Sequence, residues 1–535
     1  MSPTSAAKKA TTAGQPGLVA LIGAGPGDED LLTRRAVALL GRAGLVAGAP
    51  ELTGRLAHLL AAEAVVTGLD ELEADPKLLI KAAKGGQLAV LLCDGDPLLF
   101  GEGAGQALAC AKARVPFEVV PGVPPATAVP AYAGIQLTPD TAGSVRIVHA
   151  AELSRVSRDV QAPSTLVVLG AEAAPVDMAK MLIAAGWPEN TRFAITWNGT
   201  TTDQYTVTGA LGSAAADLKA AGVSPLTASG PAVAVVGESA ASQDLAWFET
   251  KPLFGWRVLV PRTKEQAAAV SERLRAYGAV PEEVPTIAVE PPRTPQQMER
   301  AVKGLVTGRY QWIAFTSVNA VKAVREKLEE YGLDARAFAG VKVAAVGEQT
   351  AAALAAFGIR PDLVPEGEQS AEGLAGAWPP FDDVLDPINR VLLPRADIAT
   401  ETLVARLTEL GWEPEDVTAY RTVRAAPPPA PVREAIKSGG FDAVLFTSSS
   451  TVRNLIGIAG KPHAVTVIAV IGPQTSKTAA EYGLRVDVTA PRASATALVD
   501  ALAEHGAAIR DAAVSAGEPV RKPSERRRGA RRRLR

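Results

Sequence analysis

The sequence predicts an α/β protein built from more than one domain. Three observations predict it. Short apolar runs rich in β-branched residues alternate with Ala/Leu-rich stretches of helical period, glycine-rich turns follow several of those runs, and the landmarks of the second half occur twice. A chain of 535 residues also exceeds what one hydrophobic core usually holds.

The first residues, MSPTSAAKKATTAGQPG, are small and polar with no apolar signal core, so residues 1–17 are expected to be disordered. LVALI (18–22), LAVLL (88–92), TLVVL (165–169) and AVAVV (232–236) read as buried strands. Around 238–255 the alternation breaks into ESAASQDLAWFETKPLFG, and WRVLV opens a new strand at Trp256. This places a first domain over 18–245, a linker over 246–255 and a second domain over 256–510. The remaining 511–535 ends in RRRGARRRLR, whose arginines carry no apolar period, and reads as a disordered, solvated tail.

The second domain contains a duplication. RVLVPR (257–262) recurs as RVLLPR (390–395), PEEV (281–284) as PEDV (414–417), YQWIAFTS (310–317) as FDAVLFTS (441–448), and VGEQT (346–350) as IGPQT (471–475). Ordered landmarks imply two copies of one α/β unit, most simply two similar lobes facing a cleft. The Pro-rich breaks PPRTP (291–295) and APPPAP (426–431) suggest crossings between lobes near 289 and 424.

Composition excludes several functions. Lys+Arg number 55 against 57 Asp+Glu, so no basic footprint for nucleic acid exists outside the last ten residues, and no DNA-reading motif accompanies them. A regulator whose arginine tail touches nucleic acid therefore lacks its reading head. Cys93 and Cys110 form no CxxC pair, and His58, His149, His463 and His505 are scattered, which argues against a disulfide scaffold or a metal site. Nothing approaches the roughly 20 apolar residues of a membrane span, so the protein reads as cytoplasmic.

GAGPGD (23–28) follows the first strand, but a dinucleotide fingerprint needs glycine where Asp28 stands, and no GK[ST] marks a phosphate loop. DGDPLLFGEG (94–103), VVPGVPPATAVPAYAGIQLT (119–138) and WNGTT (197–201) place further small residues where backbone can approach a ligand. In this order over 18–240, the four motifs resemble the tetrapyrrole methylase family, especially uroporphyrinogen-III C-methyltransferases. The resemblance implies two α/β subdomains with S-adenosylmethionine between them, Pro26, Gly95 and Asp96 lining the cofactor pocket, Asn198 and Gly199 nearby, and a tendency to form homodimers. The chain departs from the pattern at Gly48-Ala49, where the family has Tyr-Asp, and VVTGLDELEADP (65–76) lacks the family's Gly-Lys segment. Asp94-Gly95-Asp96 replaces Gly-Gly-Asp, Pro124-Pro125 replaces Thr-Ala, and Leu169-Gly170 replaces Tyr-Met. Two readings stay open: a methyltransferase, or a binding or scaffolding domain that keeps the fold.

The duplicated motifs, together with VTAYRTV (417–423), resemble uroporphyrinogen-III synthase over 254–505. That resemblance implies closure of the linear tetrapyrrole hydroxymethylbilane to uroporphyrinogen III, with inversion of the last ring and loss of water, and no metal or organic cofactor. Each Thr-Ser pair stands where a strand hands over to a helix, so hydroxyls and free backbone N–H groups can bind the carboxylates of such a substrate. Thr316, Ser317, Asn319, Thr447, Ser448 and Ser449 are the candidates, with Gly347, Thr350, Gly472 and Thr475 in the matching turns. Arg262 and Arg395, at equivalent strand ends, supply positive charge. The family's tyrosine falls on Tyr420, suited to protonate the departing hydroxyl. The alternatives, that the hydroxyls only cap helices and that Tyr420 is an ordinary strand residue, remain open.

Overall fold

The computed structural model describes residues 17–526 apart from 102, 141–142, 157–163, 224–229, 242–243 and 399–400. The expected disorder of 1–17, Gly17 excepted, and the tail from 527 onward lie outside the described residues. The chain divides into two compact units, Met1–Gly255 with Ala276–Val280, and Trp256–Arg275 with Pro281–Arg535.

The first unit contains two five-stranded sheets. Strands Leu18–Gly23 (β1), Leu45–Ala47 (β2), Val65–Thr67 (β3), Leu88–Cys93 (β4) and Phe117–Val120 (β5) form an all-parallel sheet in the order β3-β2-β4-β1-β5. Alternation explains why its central strands read as unbroken apolar runs. Val19 and Leu21 enter one core with Leu45 and Leu91, whereas Ala20 and Ile22 enter another with Leu39 and Val90. Strands Ser144–His149 (β6), Ser164–Leu169 (β7), Arg192–Trp197 (β8), Tyr205–Ala210 (β9) and Ala232–Val236 (β10) form a mixed sheet, β6-β7-β10-β8-β9, in which only β6 and β7 are parallel.

The segment expected as a linker, 246–255, is packed onto this unit. The Trp247 indole N–H donates to Ala131 O at 3.0 Å, Phe248 meets Tyr132 edge-on at 4.7 Å, and Leu253 is fully buried. The Glu249 carboxylate accepts from Gln204 and Thr206 at 2.9 and 2.7 Å. The broken pattern at 238–255 therefore marks a strap held by aromatic side chains, not a free connection.

The second unit carries strands Arg257–Val260 (β11), Val280–Glu283 (β12), Ile287–Glu290 (β13), Trp312–Phe315 (β14), Lys342–Ala345 (β15), Arg390–Ala396 (β16), Glu413–Arg424 (β17), Ala443–Phe446 (β18), Val467–Val470 (β19) and Val488–Thr489 (β20). They form two lobes, with orders β12-β11-β18-β19-β20 and β13-β17-β16-β14-β15. The chain passes to the second lobe between Glu283 and Ile287 and returns beyond Arg424, and the two crossings pair antiparallel, Ile287 opposite Arg424 through Glu290 opposite Arg421.

The assignment of strands to lobes, which the sequence leaves open, does not follow one repeat per lobe. In sequence order the first repeat supplies β11, β12, β14 and β15, and the second supplies β16 to β19. The first lobe joins β11 and β12 to β18 and β19, and the second joins β16 and β17 to β14 and β15. Each lobe thus combines the front half of one repeat with the back half of the other. Equivalent strands occupy equivalent places, and even β20 has a counterpart in an isolated bridge between Ala344 and Leu363. The final helix, Ala495–Ser515, buries Leu498, Val499 and Leu502 and runs five residues past the expected domain end at 510. Beyond it Ser524 N donates to Asp442 Oδ1 at 2.9 Å, so residues 511–526 belong to the fold. Among the described residues no helix is long and apolar enough to cross a membrane.

Candidate functional site

In the first unit, four sequence motifs converge at the ends of β1, β4, β5 and β8. Gly25 and Gly95 exchange backbone hydrogen bonds at 3.3 and 3.2 Å. Asp96 accepts from Leu98 N at 2.9 Å and Gly122 N at 3.2 Å, which fastens DGDP to the PGV turn, while each oxygen keeps lone-pair capacity. WNGTT closes on the first loop from the second sheet. Thr200 Oγ1 accepts from Asp28 N at 3.0 Å, and a Cβ on Gly27 would stand 2.8 Å from Gly199 O. Asn198 and Thr200 hold positive φ, 48° and 68°, and the threonine, a β-branched residue, is strained there. Gln204 Oε1 stabilises that turn by accepting from Thr200 N at 2.7 Å. Tyr132 donates to Asp28 at 3.4 Å, and burial with Asp28 nearby pushes its pKa up to about 12.

Pro26, Gly95 and Asp96 therefore share one corner, with Asn198 and Gly199 in the turn that closes on it. A Cβ on Gly25, where φ is +70°, would meet nothing nearer than Leu31 O at 3.7 Å, which leaves the backbone there uncovered. At Gly48, where the family has tyrosine, an added Cβ would stand 3.0 Å from Leu92 Cβ and 3.2 Å from Thr53 Cγ2.

In the second unit a cleft of about 1250 Å³ is lined by Arg262, Thr316, Ser317, Asn319, Gly347, Thr350 and Tyr420. Ser317 caps the helix Val318–Glu330 by accepting from Ala320 N at 3.1 Å, and Gly347 precedes the helix Glu348–Ala356. Tyr420 is only 7% exposed, its ring packed in the second lobe's core, while its hydroxyl lies 2.9 Å from Ser317 Oγ. A register shift between Arg395 and Ala396 sets Tyr420, not Ala419, opposite Ala396, and such bulges commonly re-aim side chains beside functional sites.

Arg262 lines the cleft half-buried, with no side-chain partner among the described residues, and desolvation lowers its pKa. Its counterpart behaves differently. Arg395 is 3% exposed and forms a two-pronged pair with Asp416, with Glu401 nearby, and these bonds raise its pKa. It does not line the cleft, so the expectation that both arginines offer free charge is corrected.

Thr447, Ser448, Ser449, Gly472 and Thr475 form the equivalent corner of the first lobe without lining this cleft. Ser448 caps the helix Ser449–Ala459 with a capping box to Thr451, Ser449 Oγ donates to Gln474 O at 3.2 Å, and Thr475 is buried. Capping is thus the visible task of that corner. The sequence reading missed Gln369, whose Oε1 accepts from Glu348 N at 3.4 Å over Gly347, and Thr496 at the start of the final helix. It also missed the ion pair of Glu290 with Arg421, 2.6 Å, on the crossing ladder. None of these positions belongs to a repeated motif.

Comparison with known proteins gives each unit a counterpart. Residues 268–500 match the family described as "Uroporphyrinogen-III synthase HemD", and 18–215 match "Tetrapyrrole (Corrin/Porphyrin) Methylases". The chain is 31% identical to the "Porphyrin biosynthesis protein HemD" of Ruminiclostridium josui over 510 residues, 92% of this chain and 98% of that one. It is 31% identical to a "Uroporphyrinogen-III synthase" of Synechococcus elongatus, covering 45% of this chain and 91% of the relative. It is 35% identical to "Siroheme synthase 1" of Klebsiella pneumoniae, covering 44% of this chain and 51% of the relative. With a fusion relative matched over nearly the whole of both chains, and both family models matched in order, the chain belongs to the family of porphyrin-biosynthesis proteins that join a methylase-type domain to a uroporphyrinogen-III synthase domain.

Proposed function

We propose that the second unit is a uroporphyrinogen-III synthase that cyclises hydroxymethylbilane with inversion of the last ring. The observation that supports this most is the cleft itself. An arginine without a side-chain partner among the described residues, the N-terminal ends of three helices and a tyrosine hydroxyl meet in one space large enough for a linear tetrapyrrole. In this reading Arg262, Thr316, Asn319, Gly347 and Thr350 hold substrate carboxylates, and the corner at Thr447, Ser448, Ser449, Gly472 and Thr475 meets the substrate's far side. Tyr420 gives its proton to the departing hydroxyl oxygen. The C–O bond breaks with its electron pair, water leaves, and the pyrrole nitrogen supplies the replacing pair. The substituted carbon of the last ring attacks the electron-deficient carbon, giving a spiro intermediate that opens and recloses. The proton then lost from ring carbon returns to the tyrosyl oxygen, so Tyr420 is regenerated.

For the first unit we propose S-adenosylmethionine-dependent C-methylation of the product, uroporphyrinogen III. Pro26, Gly95, Asp96, Asn198 and Gly199 would hold the cofactor, which supplies the methyl group when bound. The residues align a methyl donor with a nucleophilic carbon, a task that relies on positioning more than on acid–base groups. A second reading, a tetrapyrrole-binding domain without transfer activity, is favoured by the tight packing around Gly48. A cytoplasmic homodimer formed through this unit is a further part of the proposal, and light scattering that shows a monomer removes the dimer.

The deciding experiment incubates the full chain with hydroxymethylbilane, with and without S-adenosylmethionine, and reads ring isomer and mass. Type III product that gains methyl groups supports both proposals. Type III without methylation leaves the binding-domain reading, and type I alone overturns the synthase.

A further inference from the structure

The two duplicated Thr-Ser corners look alike in sequence but not in structure, and the difference concerns one hydroxyl. Ser448 Oγ lies 2.8 Å from Ser450 Oγ, within its own helix turn. Ser317 Oγ instead lies 2.9 Å from Tyr420 OH, a contact spanning 103 residues. Aligning PEEV with PEDV puts Ile287 where the second repeat has Tyr420, so the first-repeat sequence lacks a phenol at that place.

Either hydroxyl can donate in the Ser317–Tyr420 contact, and the other partner of Ser317 is compatible with Ser317 as the donor. Its oxygen already accepts a hydrogen bond from Ala320 N at 3.1 Å, at the N-terminus of a 13-residue helix. A hydroxyl that accepts from a backbone N–H keeps its own proton to donate, and the exposed N–H groups of the first helical turn favour negative charge beside them. We propose that Ser317 is a positioning residue for Tyr420. It donates to the phenol oxygen, which turns the phenol's own O–H into the cleft and stabilises the negative charge that appears on that oxygen as its proton leaves. This rests on the synthase reading above and assigns to Ser317 a task separate from holding carboxylates.

The test is a double-mutant cycle in the full chain, following type III product from hydroxymethylbilane. Ser317→Gly is the central variant, because glycine is tolerated at a helix N-cap and removes the hydroxyl together with its carbon while adding no new group. Ser317→Gly is expected to lower kcat about tenfold with KM within about twofold. Ser317→Thr, which keeps both the cap and the donor, should retain at least about half of kcat. In a Tyr420→Phe background Ser317→Gly should cost less than about twofold more, since the group it serves is gone. An undiminished loss in that background, a rise in KM at constant kcat, or a Tyr420→Phe variant with unchanged kcat overturns the positioning role. Failure of the broader reading looks different: the unmodified protein then yields type I only, and both proposals fall together. A variant that does not fold is recognised by its melting curve, and the Ser317→Thr comparison with Tyr420→Phe still decides, because an inactive, folded Ser317→Thr contradicts the role.

Discussion

Arg262 and Arg395 end matching hexapeptides in the two repeats, yet one lines a cleft with no side-chain partner among the described residues and the other is locked in an ion pair. The layer behind them differs too. Constant spacing from RVLVPR to PEEV pairs Glu283 with Asp416 and Ser271 with Val404. Ser271 is fully buried and donates to Glu283 at 2.7 Å. Val404 offers no hydroxyl, and Asp416 takes Arg395 instead. The two equal strand ends thus carry one cation that lines the cleft and one held in an ion pair, and a buried hydroxyl stands behind only the first.

That comparison can be broken at several points. Removing Arg395 should have the largest effect on stability. Arg395→Ala strands Asp416 beside a buried void, and we expect a loss of about 2–3 kcal/mol in denaturant unfolding, below the fully buried range because Asp416 is 42% exposed. Arg262→Ala should leave the unfolding midpoint nearly unchanged while raising KM for hydroxymethylbilane about tenfold, as expected for one charge-assisted contact. Equal behaviour of the two variants in both assays would erase the distinction drawn here.

Ser271→Ala sharpens the comparison further. With its hydroxyl gone, Glu283 is expected to turn to Arg262 as Asp416 does to Arg395, raising KM several-fold, about threefold, without changing kcat. An unchanged KM would show that Glu283 cannot reach the arginine.

The smallest effect is a pH dependence confined to one lobe. Tyr310 is 1% exposed, and burial, with the Glu415 carboxylate near, pushes its pKa up to about 12, whereas the equivalent residue of the second repeat is Phe441. A folded-state pKa above the unfolded value of about 10 means that the folded state holds the proton more tightly. Its contribution to stability is complete below about pH 10 and lost as pH rises towards 12. Tyr310→Phe should flatten the decline of unfolding free energy over that window, and an identical decline in both proteins would exclude Tyr310 as its source.

Much of this was legible in the sequence because it rests on local pattern. Apolar runs gave the parallel strands, Thr-Ser pairs gave helix caps, and the four repeated landmarks gave the duplication. Which strands share a sheet was not legible. The apolar runs of β14 and β18, WIAF and AVLF, are interchangeable in pattern, and only tertiary packing decides which joins β11. The site was read in part for the same reason. Ser317, Gly347 and Tyr420 sit in motifs, whereas the fate of Arg395 depends on a residue 21 positions away and on what stands behind it. The strap at 246–255 was missed because its anchors are isolated aromatic residues with no periodicity.

The exchange of half-repeats between lobes also sets an order of assembly. The second lobe's sheet lies within one continuous stretch, Ile287 to Arg424, and every strand it needs has been synthesised by the time that stretch ends. The first lobe begins earlier and finishes later: Val258 of β11 must wait for Ala443 of β18, 185 residues downstream. At about 5–20 residues per second, ribosomal elongation leaves β11 without its neighbour for about 10–40 s. The β18-facing edge of the strand that will carry Arg262 to the cleft thus stays unpaired during synthesis, with only β12 beside it, and aggregation or chaperone capture of nascent chains should concentrate there, while the lobe holding Tyr420 is already complete.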